Sequence, residues 1–271
     1  MRVRKRALFG KFFADRGTHL AAMIAYFALL SFVPLTFLAL AALGFAGRAD
    51  ESSFLVTEIQ HALPDAPVGD IVALVRQVQD NAATLGIVGG AFLLWTSLSL
   101  FSVLESAFNI VYGRPNRSFL RGKSLATLFM AGSIIALATG LVIGGFGYDL
   151  LQRFAPGAIG NGFVAYCLSA FVSTLSVFIF LVLAYERLTN VPLSLLDVWP
   201  GAALAAVLLQ VTFQILPIFV RLSSEVVSVQ ALGASALLLV WIYVMANVIV
   251  FGAEVNWWYG RREEEDVAGL A

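Results

Sequence analysis

The sequence predicts an all-α polytopic membrane protein with six transmembrane helices, both termini cytoplasmic and a short helical extracytoplasmic loop region. Composition is the first reason. Of 271 residues, 60% are hydrophobic and 13% charged, against roughly 45–50% and about 25% in a soluble domain. The second is the length of the uncharged runs. A helix needs about 20 apolar residues to cross a hydrocarbon core of roughly 30 Å, and six runs free of Asp, Glu, Lys and Arg reach that length: Gly17–Gly47, Asn81–Leu104, Ser124–Tyr148, Phe154–Tyr185, Val198–Val220 and Val226–Ala253. None alternates with the period of two that barrel strands require. The third is where the cations fall. With six spans, thirteen of the seventeen Lys and Arg lie on one side, leaving Arg48, Arg76, Arg153 and Arg221 on the other. By the positive-inside rule the richer side, which holds both termini, is cytoplasmic.

The whole of 1–271 reads as one membrane domain, with 1–18 a basic cytoplasmic segment, 48–82 an extracytoplasmic helical loop and 254–271 a cytoplasmic tail. The opening MRVRKRALFGKFFADRG mixes cations with Leu8, Phe9, Phe12 and Phe13. That composition fits a helix lying among anionic lipid headgroups, and it equally fits a plain topology signal. The uncharged run that follows has 31 residues, longer than the roughly 7–15 of a signal-peptide core, so it is expected to stay as a helix. The loop carries Phe54, Ile59 and Leu63, then Ile71, Leu74, Val75 and Val78, at helical spacing around ALPDAP. Two short helices are expected there, either as a folded cap or lying on the outer leaflet.

In the third run, Gly132, Ala136, Gly140 and Gly144 are small residues spaced by four, a pattern for close helix packing rather than phosphate binding. Pro34 and Pro217 each remove a backbone hydrogen bond and can kink the first and fifth runs. Gln210 and Gln214 share a face of the fifth run as glue between helices. Trp257, Trp258 and Tyr259 form an interfacial anchor after the sixth. Cys167, the single cysteine, sits in an apolar run and forms no intrachain disulfide.

Candidate functional residues are the polar groups inside these runs, because burying them in hydrocarbon is costly. In the second run Ser99, Ser102, Glu105, Ser106 and Asn109 fall in an arc of about 120° at 100° per residue. With Tyr26, Ser31, Asn247 and Glu254 they are expected at comparable depth in the cytoplasmic half of the bundle. A substrate- or ion-binding set of Tyr26, Ser31, Pro34, Glu105, Asn109, Asn247 and Glu254 follows, with Pro34 bending the first helix around it. The alternative is that Glu105 and Glu254 sit at the interface, snorkelling or pairing with Arg114 or Arg261.

Four segments together resemble the YihY/BrkB family of bacterial inner-membrane proteins: RGTHLAAMIAYFALLSFVPL, LLWTSLSLFSVLESAFNIVYG with the basic loop after it, VPLSLLDVWPGAALAAV and GAEVNWW. The likeness runs from Arg16 to Tyr259. It implies an inner-membrane protein linked to envelope integrity and, for some members, serum resistance; some members also carry a ribonuclease BN label. Metal-dependent nuclease chemistry needs clustered ligands, yet the two histidines, His19 and His61, are expected on opposite sides of the membrane. The cations of RPNRSFLRGK read as orientation signals and anionic-lipid contacts rather than a nucleic-acid platform. The expectation is therefore a non-enzymatic transporter or flippase-like permease of undefined substrate in envelope homeostasis, without cofactor or nucleic acid. Its partner is the bilayer, with anionic lipid at the basic N-terminal segment. The alternative function is a non-catalytic scaffold for envelope components.

Overall fold

The computed structural model describes residues 8–45, 82–133, 162–224 and 227–269. The expected extracytoplasmic loop, the residues before Leu8 and the third run beyond Ser133 lie outside them. Every described element is helical. In chain order they are α1 (Leu8–Ala14), α2 (Gly17–Phe45), α3 (Ala82–Val111), α4 (described over 119–133), α5 (Gly162–Leu188), α6 (Leu195–Ser224) and α7 (Val227–Gly269). Three described stretches are long and apolar enough to cross a membrane: Ala170–Leu188, Leu195–Leu216 and Ala236–Arg261. Gly17–Ser31 and Leu98–Val111 are shorter apolar stretches.

Local sequence sets the boundaries. The turn between α1 and α2 places Arg16 in the left-handed region at φ 57°, and its carbonyl accepts the first bonds of α2 from His19 and Leu20. Gly17 follows because the Phe12 ring lies where a side chain at Gly17 would stand. Helix α3 ends in a Schellman motif: Arg114 N–H donates to Asn109 O at 2.8 Å and Gly113 N–H to Ile110 O at 3.0 Å, with Gly113 at φ 63°. Helix α6 begins at a capping box, in which the Asp197 carboxylate accepts from both the N–H and the hydroxyl of Ser194 at 2.7 Å. Helix α2 runs through Pro34 as one element; the side-chain surroundings of Pro34 and Pro217 lie outside the described residues. Helix α7 continues through RREEEDVA, which consists largely of good helix formers, to Gly269.

Helix α7 is the hub. It packs on α6 and α2, with α2 against α3 and α5 against α6. In lipid, packing and interhelical hydrogen bonds rather than water exclusion hold helices together, so close approach matters. The closest seam joins α6 and α7. A side chain on Gly201 would strike the Gly252 carbonyl, and one on Gly252 would come within 2.5 Å of Tyr185 Oη and 2.9 Å of Ala205 Cβ. Asn256 locks this seam by accepting the Gly201 N–H at 2.6 Å, and Tyr185 donates to Ile249 O at 2.7 Å. Gly132, by contrast, has open space beside it.

Candidate functional site at the basic end of the bundle

The turn after α3, the 189–194 connection, α1 and the middle of α7 meet at one end of the bundle through side chains that bond across them. The polar stripe of α3 lies here, and its partner is the chain's own basic loop. Lys123 Nζ donates to Ser102 Oγ at 3.1 Å, and Arg117 Nη1 to Glu105 Oε1 at 3.2 Å. Asn116 donates to Ser106 Oγ at 3.1 Å and accepts from Asn109 Nδ2 at 3.2 Å. Four successive inward positions of α3 are thus matched by three contacts from the loop and one from the start of α4. Towards the other end, Ser99 turns back on its own helix at Trp95 O, 2.7 Å away.

Arg117 does more than neutralise Glu105. Its two terminal nitrogens also donate to Leu188 O at 2.6 Å, Thr189 O at 2.8 Å and Arg187 O at 3.2 Å. Those carbonyls end α5, where the helix dipole is negative and lacks donors. The guanidinium fork therefore caps α5 while it holds α3. Asn109 Oδ1 completes the junction by accepting the Asn190 N–H at 2.6 Å, and Asn190 Nδ2 donates to Pro115 O at 3.1 Å.

A second node surrounds Lys11. Its ammonium donates to Glu254 Oε2 at 2.7 Å, to Val111 O at 2.9 Å and to Asp15. These three bonds use all three protons of the group. Glu254 is fully buried at 0% exposure. The ammonium also lies 4.1 Å from the Trp257 ring centroid, with Arg261 at 4.7 Å from the same centroid. Phe251 of α7 stacks on Phe9 at 5.3 Å and meets Phe12 edge-on at 5.9 Å, fixing α1 beside α7. Glu254 Oε1, Asn256 Nδ2 and the Tyr112 hydroxyl are buried without a hydrogen-bond partner among the described residues. Burial, then the charges of Asp197 and Glu254, push the Tyr112 phenol above its ordinary range and keep it neutral.

The structure does not gather the expected set: its described members fall in five places. Glu105 and Asn109 join the loop network, and Glu254 joins the Lys11 node. Ser31 is buried deeper between α2 and α3 and donates to Thr96 O at 2.9 Å. Asn247 donates to Tyr243 O of its own helix. Tyr26 stands apart at 54% exposure, on the wall of a groove that also includes Asp15, Arg16, His19, Met23, Phe27 and Ile110. The cations paired with the two acids are Arg117 and Lys11, where the sequence pointed to Arg114 or Arg261. Arg261 lies over Trp257, and Arg114 is exposed. Sequence reasoning passed over Lys11, Arg117, Asn116, Asn190 and Asn256 as functional groups. Only the i,i+4 pair Lys11 and Asp15 in KFFAD was a local sign.

Among the described residues no three His, Cys, Asp or Glu side chains gather to hold a metal ion. A family model described as virulence factor BrkB matches residues 8–270. A UPF0761 membrane protein of Aromatoleum aromaticum is 26% identical over 93% of this chain and 62% of its own length. Another, from Rhodospirillum rubrum, is 30% identical over 90% of this chain and 57% of its own. A Bacillus subtilis relative that bears a ribonuclease-like name, YfkH, is 23% identical over 93% of both chains. The chain spans about three fifths of the length of the first UPF0761 relatives it matches. No solved structure matches it.

Proposed function

The chain belongs to the virulence factor BrkB family of membrane proteins, and from that premise we propose that it is a flippase-like permease of the bacterial inner membrane acting in envelope homeostasis. Six spans with both termini cytoplasmic are part of this reading, which makes the basic end the cytoplasmic face. The lengths of α2 and α3, 29 and 30 residues, support it, since at 1.5 Å per residue each exceeds the roughly 30 Å core. No catalytic chemistry is assigned.

One observation carries the permease reading. Glu105 and Glu254 are acids at 4% and 0% exposure on apolar helices, and each is neutralised by a cation from a peripheral element, the loop or α1, rather than from a neighbouring long helix. Buried ion pairs stabilise little compared with well-packed apolar groups. What such a pair supplies is a contact that can open and close, as the gates of transporters need. The test is reconstitution into vesicles and measurement of transbilayer movement of labelled phospholipid. Wild-type protein accelerates movement and Glu254→Gln slows it; movement unchanged by both Glu105→Gln and Glu254→Gln removes the two acids from the mechanism.

A second reading, a non-catalytic scaffold for envelope components, draws support from the Asn109, Asn116 and Asn190 network, which commits its polar groups to the chain itself. It predicts stable co-purifying envelope proteins and no lipid movement by the wild type.

A further inference from the structure

The groove beside Tyr26 belongs to neither ion-pair node. It encloses about 580 Å³ between the α1–α2 turn, one face of α2 and Ile110 of α3, a volume in the range of small-molecule sites. Its walls are almost wholly apolar, and Met23, Tyr26 and Ile110 are 39%, 54% and 44% exposed there. One cation without a counterion, Arg16, stands at its mouth. Asp15 is held by Lys11, Arg16 is exposed with no side-chain partner among the described residues, and the exposed His19 meets only the Thr18 hydroxyl at 3.5 Å.

We propose that this groove is a binding site for an anionic glycerophospholipid, with its phosphate on Arg16 and one acyl chain along Met23, Tyr26, Phe27 and Ile110. Charge and dimension both select that occupant. The unpaired guanidinium offers a fork for a phosphate oxygen pair. From Arg16 to Phe27 the helix rises about 16 Å, which is close to half of the roughly 30 Å hydrocarbon core and so to the depth of one leaflet. A free phosphate would leave the apolar wall bare, and a peptide segment would find almost nothing polar on that wall for its backbone beyond the Tyr26 hydroxyl. Arg16 also holds a left-handed backbone conformation in which a glycine would be relaxed. The site stands whether or not the chain moves a substrate.

The full chain, purified in detergent, delipidated and offered phosphatidylglycerol, phosphatidylcholine or inorganic phosphate, tests this by native mass spectrometry of retained ligand. Wild-type protein retains phosphatidylglycerol roughly tenfold better than phosphatidylcholine, the scale of one charge-assisted contact. Arg16→Gly, which suits the turn and so folds, loses that preference. Arg16→Lys keeps most of it, and Ile110→Trp lowers retention of both lipids by filling the groove. Equal phosphatidylglycerol retention by wild type and Arg16→Gly overturns the proposal, as does displacement of the lipid by inorganic phosphate alone or a wild type that retains neither lipid.

Discussion

Lys11 and Glu254 stand 243 residues apart in the chain and 2.7 Å apart in space. The pair joins the first described helix to the hub of the bundle, and the same ammonium accounts for the last carbonyl of α3 at Val111.

Breaking this pair from one side leaves a charge buried without its counterion. Lys11→Met is therefore expected to destabilise the fold by about 3–5 kcal/mol, and the double variant Lys11→Met/Glu254→Gln by clearly less than Lys11→Met alone. Thermal unfolding in detergent across the double-mutant cycle reads this out. Additive losses would mean that the two groups do not interact.

Arg117 is expected to matter through its shape as well as its charge. Arg117→Lys keeps the cation, but an ammonium cannot span Glu105 and the three carbonyls that end α5. A loss of about 2–3 kcal/mol is expected for Arg117→Lys, with faster amide exchange over residues 186–190. Wild-type exchange rates in that variant would show that the cap contributes nothing.

Glycines in one helix should respond with opposite sign. Gly252→Ala forces a methyl against Tyr185 Oη and Ala205, so α6 and α7 must part and folded yield should fall. Gly260→Ala meets nothing within 4 Å and should stabilise α7 by up to about 1 kcal/mol through helix propensity. Equal melting temperatures for the two variants would contradict the seam.

Sidedness is open to chemical labelling. In a Cys167→Ser background, Ser118→Cys lies in an exposed part of the basic loop, while Arg153→Cys falls between the third and fourth uncharged runs. With both termini cytoplasmic, a membrane-impermeant maleimide added to intact spheroplasts labels the second and spares the first. The reverse pattern inverts the topology.

Much of the fold was legible in the sequence because hydrocarbon imposes a simple rule: apolar runs without charges become helices. The arc on α3 was legible for the same reason, since helical periodicity alone puts Ser102, Glu105, Ser106 and Asn109 on one face. What covers that face was not. Asn116 and Arg117 sit in an irregular loop with no period to project, and Lys11 finds its acid across nearly the whole chain. Basic residues near membrane ends serve topology, lipid and ion pairs alike, so composition could not separate Arg117 from the exposed Arg114. The small-residue spacing noticed in the third run has its described counterpart between α6 and α7, where Gly201 and Gly252 are too far apart in sequence to register as a motif.

The Lys11 node also constrains the order of assembly during synthesis. At roughly 5–20 residues per second, the segment carrying Glu254 is made about ten to fifty seconds after α1. Throughout that interval Lys11 has no acid to meet on α7, while Phe9 and Phe13, both still largely exposed in the finished fold, give the short helix an apolar side to rest on the membrane surface. The closing of α1 onto α7 is then among the last steps of maturation, and a ribosome stalled before residue 254 holds a chain whose α1 has yet to meet α7.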